Sequence, residues 1–251
     1  MSPWEAVGVF AAGIGAGTIN TVVGSGTLIT FPVLLAVGLP PVTANVSNTI
    51  GLVPGSLSGA IGYRAELKGQ RDRLIRLGTA SLLGGLVGAL LLLVLPADAF
   101  KTIVPVLIGL ALLLVILQPR LAKSLKARDA APARAEGGLA LVLGVFGSGV
   151  YGGYFGAAQG VLLLGLMGLL LNDDLQRINA TKNILAMLVN GTAAIVFLFV
   201  AHIDWYAALL IAAGSTIGGQ IGARVGRRLP PTVLRALIVI VGIVAIVKLL
   251  L

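Results

Sequence analysis

The sequence contains no cysteine, and only 11% of its 251 residues are charged, less than half the ~25% share of an ordinary soluble domain. The missing cysteine excludes disulfides, thiolate nucleophiles, iron–sulfur ligation and cysteine zinc sites, and it leaves the redox compartment unread. The shortage of charge excludes a water-soluble globular protein. A single histidine, His202, stands beside Asp204, and no His/Asp/Glu cluster has metal-ligand spacing, so no haem, catalytic metal or other cofactor is expected. Acidic residues are also absent from the interior of every long apolar run. Glu5, Glu66, Asp72, Asp98, Asp129, Glu136, Asp173, Asp174 and Asp204 all fall at segment ends or in loops. A midmembrane carboxylate relay is therefore missing, and a cationic substrate would lack its counter-charge, whereas an anion loses nothing. Proton coupling stays open, through a peripheral carboxylate, His202 or the substrate itself. The opening MSPWEAVGVF lacks a basic n-region and reads as the entry into a helix of the mature chain rather than a cleaved signal peptide.

What is present is apolar: 57% of residues are hydrophobic and the mean hydropathy is +1.04. One membrane helix needs ~20 mostly apolar residues, so the chain holds about eight to ten membrane segments and no soluble catalytic domain. The apolar stretches run over 5–37, 43–62, 74–95, 99–118, 138–171, 183–201, 205–223 and 231–251. The net charge of +9 would suggest nucleic acid in a soluble protein, but 16 of the 18 basic residues lie in four short segments: Arg64 to Arg76, Arg120 to Arg134, Arg177 with Lys182, and Arg224 to Arg235. These read as cytoplasmic loops under the positive-inside bias, which makes the chain a multi-pass membrane protein whose partner is the lipid bilayer and not nucleic acid.

Parity refines the segment count. If 120–134 and 224–235 are both inside, an even number of crossings separates them, yet one long helix over 138–171 leaves three. A hairpin of two half-helices restores the agreement, and the same logic makes 5–37 a hairpin; each crosses fully or is re-entrant. The expected architecture is an all-α polytopic membrane protein of two inverted repeats, each a broken-helix hairpin plus three transmembrane helices. The repeats would be 1–118 and 138–251, joined by a basic cytoplasmic linker over 119–137. Gly17 and Gly24 match Gly149 and Gly156 at an offset of 132, and Ala44 to Thr49 resembles Asn179 to Asn183 at a slightly larger one.

Two groups of residues could carry function. The first is the pair of Gly-rich breaks: Gly24-Ser25-Gly26-Thr27, preceded by Gly13 to Gly17 and Asn20, and Gly152 to Gly160, which includes Gly156 and Gln159. A helix that restarts inside a membrane exposes unpaired N–H groups and the positive end of its dipole, which makes an anion site without a buried cation. Paired breaks of this kind mark midplane substrate sites in secondary transporters. The four-residue glycine spacings at Gly13/Gly17, Gly84/Gly88, Gly149/Gly153 and Gly218/Gly222 are better read as close helix packing. The second group is a neutral polar stripe, Asn179, Asn183 and Asn190 in one half and Asn45, Asn48 or Thr49, and Ser56 in the other, at helical spacing. These residues would touch substrate or bond helix to helix. Lys182 is the only basic residue in the stripe; at a helix start it would snorkel to the surface, and deeper it would be functional.

The runs Gly13 to Gly26, Phe31 to Pro40 and Ala44 to Thr49, with Ala180-Thr181-Lys182-Asn183 in the second half, resemble the sulfite exporter TauE/SafE family, also called the toluene sulfonate uptake permease family, over essentially the whole chain. The resemblance implies a cytoplasmic-membrane transporter, not an enzyme, built from two inverted repeats and moving small sulfur-containing anions such as sulfite, sulfoacetate or other organosulfonates. Residues matching the family's motifs are Gly24, Ser25, Gly26, Asn48 and Thr49, then Gly156, Gln159, Lys182 and Asn183; Asn20, Thr27 and Asn190 complete the candidate substrate site. Family members often have a denser glycine run at 24–27 and Gly-Thr-Ser at 46–49, departures that bear on which anion is carried. The alternatives are a transporter of another small anion, a membrane assembly protein without transport, disfavoured by a longest linker of about 19 residues, and an intramembrane enzyme, disfavoured by the lack of a nucleophile–base pair.

Overall fold

The computed structural model describes residues 1–126, 137–225, 239, 240 and 243. Most of the 119–137 linker and nearly all of the final 231–251 stretch lie outside the described residues. Among those described, the chain is helical throughout with no strand, in the order α1 (Pro3–Val22), α2 (Thr27–Ala36), α3 (Pro41–Gly62), α4 (Arg71–Val94), α5 (Ala97–Lys126), α6 (Gly138–Tyr154), α7 (Gln159–Leu170), α8 (Leu175–Val200) and α9 (Trp205–Val225). Spans within α1, α4, α5, α8 and α9 are long and apolar enough to cross a membrane. The protein is an all-α, multi-pass membrane protein.

The ends of these helices follow from local sequence. Ser2 accepts from the Glu5 N–H while Glu5 accepts from the Ser2 N–H, a capping box that starts α1 with Pro3 in its first turn. Asp174 accepts from the Gln176 and Arg177 N–H groups and so starts α8 at Leu175, eight residues before the apolar stretch begins. That early start carries Lys182 two turns into the helix. With 22 residues, α3 is also long enough to span, but Asn45, Ser47, Asn48, Thr49, Ser56 and Ser58 along it are all buried. Bare amides and hydroxyls cannot face hydrocarbon cheaply, so α3 is an inner helix shielded by the others.

Both over-long stretches are broken, but not into equal halves. The first arms, α1 and α6, have 20 and 17 residues, and the second arms, α2 and α7, have only 10 and 12. At 1.5 Å per residue the second arms cover ~15–18 Å, about half of a ~30 Å core. The expectation of paired short helices is therefore corrected: in each hairpin a near full-length helix reverses into a half-length one. The turns are buried in protein, which is where non-helical backbone at membrane depth is tolerated.

Packing interleaves the two halves. α1 lies against α9 and α6 against α4, while α3 packs on α9 and α8 on α4. Glycine makes these approaches possible. A Cβ on Gly84 would stand 2.2 Å from the Phe146 carbonyl oxygen and one on Gly88 2.1 Å from that of Val150; one on Gly218 would stand 2.1 Å from the Ile14 oxygen and one on Gly222 2.7 Å from that of Thr18. The spaced glycines outside the breaks are thus packing glycines. Ser81 donates to the Leu185 carbonyl at 3.1 Å and Ser215 to the Gly51 carbonyl at 2.9 Å, fastening α4 to α8 and α9 to α3. Around the breaks an aromatic cluster fills the core: Phe31 meets Phe155 edge-on at 5.2 Å, and Phe100 packs on Phe31, Tyr154 and Phe155.

Candidate functional site

The two breaks, Val23 to Gly26 and Phe155 to Ala158, meet inside the bundle. Gly24 and Gly156 turn the chain with φ of +88° and +77°, and Ala158 also lies in the left-handed region at +58°. The Gly160 N–H donates to the Gly24 carbonyl at 3.0 Å, and a Cβ on Gly24 would stand 2.3 Å from the Gly160 Cα. Only glycine at both positions lets the backbones touch.

Each break leaves one helix end and one helix start at the same point. The ends are capped by amides and one lysine amino group. Lys182 Nζ donates to the carbonyls of Asn20 at 2.9 Å and Thr21 at 3.0 Å, and Asn179 adds a bond to Thr21 at 3.3 Å. In the other hairpin Asn45 donates to the Tyr154 carbonyl at 3.0 Å. The starts differ: neither Gly26 before α2 nor Ala158 before α7 provides a side-chain cap. Backbone carbonyls serve instead: Gly156, Gly24 and Ala158 accept from Gln159, Gly160 and Val161 at the start of α7, and Ser25 and Gly26 accept from Leu28 and Ile29 in α2.

Beside these starts lie buried polar atoms with no partner. The donors among them are Ser25 Oγ, Gln159 Nε2 and Asn183 Nδ2, in residues at most 4% exposed, and the Oδ1 atoms of Asn45 and Asn179, whose Nδ2 groups cap the helix ends, are also without a partner. Ser25 sits just before α2, Gln159 opens α7, and Asn183 follows the Lys182 that caps α1. A hydroxyl and two amide N–H2 groups all donate, and leaving them unmatched costs ~1–3 kcal/mol each.

The other candidates form the surrounding framework. Thr30 donates to Asn48 Oδ1, and Asn48 Nδ2 donates to Thr27 Oγ1 at 3.3 Å, which ties α2 to α3. Gly156 lies beside Thr27, whose hydroxyl would be 3.9 Å from a Cβ there, and Gly26 packs against the Ala16 carbonyl. Asn20 and Asn190 both donate to Ser56 Oγ, at 3.3 and 3.2 Å. Thr49 donates back to the Asn45 carbonyl at 2.9 Å, so its proton is engaged within α3. The structure thus places Ser25 within the first break, Gln159 at the start of α7 against Gly152, and Lys182 on the end of α1 beside Gly160, and it gives Asn48, Asn20 and Asn190 helix-to-helix bonds. The snorkelling expectation for Lys182 is corrected: it is fully buried, because α8 begins at Leu175 and the stem runs inward past Gly160 to the end of α1.

Sequence reading missed Thr30, although its three-residue spacing from Thr27 puts both on one face of α2. It also missed a charged network between the two halves. Arg73 Nη1 meets Asp173 at 2.5 Å and Arg177 Nε meets it at 2.9 Å. Gln70 accepts from Arg73 at 2.7 Å and from Thr181 at 2.8 Å, and it donates to the Arg177 carbonyl at 3.2 Å. Burial pushes the Asp173 carboxyl up, but the Arg73 hydrogen bond, the Asp174 N–H and the charges of Arg73 and Arg177 outweigh it and hold the group below its ordinary value. Among the described residues no group of three or more His, Cys, Asp or Glu is placed to hold a metal ion.

Comparison with known proteins is consistent with a built membrane carrier. No solved structure matches the chain. It is 28% identical over 237 residues to the probable membrane transporter protein YfcA of Escherichia coli (strain K12), covering 94% of this chain and 86% of that one. It is 27% identical over 242 residues to the probable membrane transporter protein ORF9 of Sinorhizobium sp, covering 96% and 91%. A probable membrane transporter protein of Haemophilus influenzae is 27% identical over 244 residues, covering 96% and 92%. The sequence profile described as Sulfite exporter TauE/SafE matches residues 9–249. With two broken hairpins at its centre and that profile spanning almost its whole length, the chain belongs to the sulfite exporter TauE/SafE family of membrane transporters, not enzymes.

Proposed function

We propose that the protein is a secondary transporter of small sulfur-containing anions, such as sulfite, sulfoacetate or other organosulfonates, and that it binds them between the two touching breaks. The observation that carries this reading is the group of unmatched donors, Ser25, Gln159 and Asn183, beside two helix starts without side-chain caps. A tetrahedral or pyramidal oxyanion presents several acceptors at once, and helix starts favour negative charge. The lack of an acidic side chain in this cluster favours an anion as well.

The halves act as inverted repeats, residues 1–118 and 138–251, that move against each other in alternating access. Several facts support this. Ser81 to Leu185 and Ser215 to Gly51 are the same bond with donors and acceptors each 134 positions apart. Gly84 against Phe146 and Gly218 against Ile14 repeat one packing contact, with the glycines 134 and the carbonyl residues 132 positions apart. An odd number of crossings per repeat inverts its successor, as the basic loops require.

Reconstitution into proteoliposomes tests the reading, with uptake of labelled sulfite, thiosulfate, sulfate and simple sulfonates followed side by side. The expected result is saturable flux of at least one sulfur anion by the wild type, reduced by Asn48→Ala and Asn183→Ala while both remain inserted. Flux of none of them, or wild-type rates in both variants, contradicts it.

A further inference from the structure

Lys182 is the one charged side chain among the described residues that is completely buried. All its polar partners are neutral: the carbonyls of Asn20 and Thr21, at 2.9 and 3.0 Å, at the carboxyl end of α1. In broken-helix transporters such half-helix ends and unwound carbonyls are where a coupling sodium ion or proton is held. Here that place is filled from within the chain. A neutral amine has two N–H donors and an ammonium has three, so the two carbonyls match both donors of the neutral nitrogen and leave one N–H and a full positive charge unmatched when it is protonated.

We propose that Lys182 is the coupling site, a tethered cation standing where a sodium ion would otherwise sit, so that the carrier couples its anion to a proton. The proposal rests on the anion-transport reading above. An anion lodged at the breaks supplies the charge that the ammonium lacks. The Lys182 stem passes Gly160, where a Cβ would be 3.0 Å from its Cδ, and Gly160 is the residue bonded to Gly24. Anion load and protonation therefore rise together, since a buried charge is tolerated when it is paired. On the loading side the amine takes one proton from water and becomes an ammonium as the anion binds. On the far side the anion leaves and the ammonium returns that proton to water. One N–H bond forms and one breaks per cycle, and nothing is oxidised or reduced.

Among the described residues no neighbouring group competes for this role. α3 and α7 carry no titratable side chain, and Tyr63, just past α3, packs near Ala180. α1 carries only Glu5, at its opposite end. α4 brings Arg71, Asp72, Arg73 and Arg76 at its start, with Arg73 held by Asp173. α6 brings Tyr154 and Tyr151, whose hydroxyl donates to the Ala157 carbonyl. On α8 itself Arg177 is paired with Asp173.

The test uses the full-length protein and a substrate whose own charge is constant with pH, thiosulfate or a simple sulfonate. In proteoliposomes an acid-outside gradient is expected to drive accumulation, with proton entry reported by a trapped pH dye, and a sodium gradient is expected to have no effect. Binding to the purified wild type is expected to weaken as pH rises, by up to tenfold per unit. Lys182→Arg keeps a cation but does not release its proton; it is expected to flatten that pH slope and to cut gradient-driven accumulation at least tenfold, whereas a purely structural role would weaken binding equally at every pH. Accumulation driven by sodium alone, or an Arg variant with the wild-type pH slope, overturns the proposal. Should the variant not insert, the wild-type comparison of proton and sodium gradients decides it. A wild type that moves no sulfur anion under either gradient instead defeats the transport reading, and this proposal with it.

Discussion

Asn190 donates to Ser56 at 3.2 Å, and the two residues stand 134 positions apart, the same interval that relates Ser81 to Ser215 and Gly51 to Leu185. In the proposed repeat they are equivalent positions, and equivalent positions meet only on the axis relating the two halves. On that proposal α3 and α8 cross at the axis, and Asn20 of the first hairpin is joined to the same hydroxyl. Loss of the Ser56 hydroxyl strands two amides at once. Ser56→Ala is expected to cost about 2 kcal/mol of stability, more than a typical single hydrogen bond, measured by denaturation in detergent.

The matched bonds of Ser81 and Ser215 give a direct comparison of the halves. Ser81→Ala and Ser215→Ala should each cost about 1 kcal/mol, with near-equal shifts in the unfolding midpoint. A large cost for one and none for the other would contradict equivalent roles.

The contact of the breaks depends on glycine. Gly24→Ala places a methyl 2.3 Å from the Gly160 backbone at a φ of +88°. Overpacking and left-handed strain together should cost about 3 kcal/mol and abolish transport. Gly147→Ala, where a Cβ meets nothing within 4 Å, is the control and should be neutral in both assays.

The Asp173 network gives a pH signature. Its carboxyl is held below the ordinary value in the folded protein, so it contributes stability that is fully present above the unfolded pKa of ~4 and lost as pH falls through the lower folded value. Thermal unfolding in detergent should show the wild type losing stability on acidification. Asp173→Asn should be less stable than wild type near neutrality and show a smaller acid-dependent loss.

Much of this architecture was legible in the sequence, and the illegible parts have physical reasons. Basic loops and crossing parity located both hairpins, because charge cannot hide in hydrocarbon. The unequal arms were invisible, since α1 and α2 lie in one continuous apolar stretch and only backbone geometry at Gly24 says where the helix stops. The Lys182 environment was misjudged because the start of α8 is polar: Arg177, Asn179 and Thr181 resemble a loop, yet each is bonded inside the bundle or at its edge. The Arg73–Asp173 bridge joins residues 100 positions apart, beyond any local pattern.

The central claim, that an anion rests on unmatched donors between the breaks, is tested most directly by equilibrium binding of radiolabelled sulfite and thiosulfate to the purified protein. The variant combines Ser25→Ala, Gln159→Ala and Asn183→Ala. These atoms have no partner in the protein, so the thermal midpoint should stay near that of the wild type. Hydrogen bonds to a charged group are worth about 1.5–3 kcal/mol each, so affinity should fall by at least a hundredfold. A stable triple variant that binds both anions as tightly as the wild type would contradict the account.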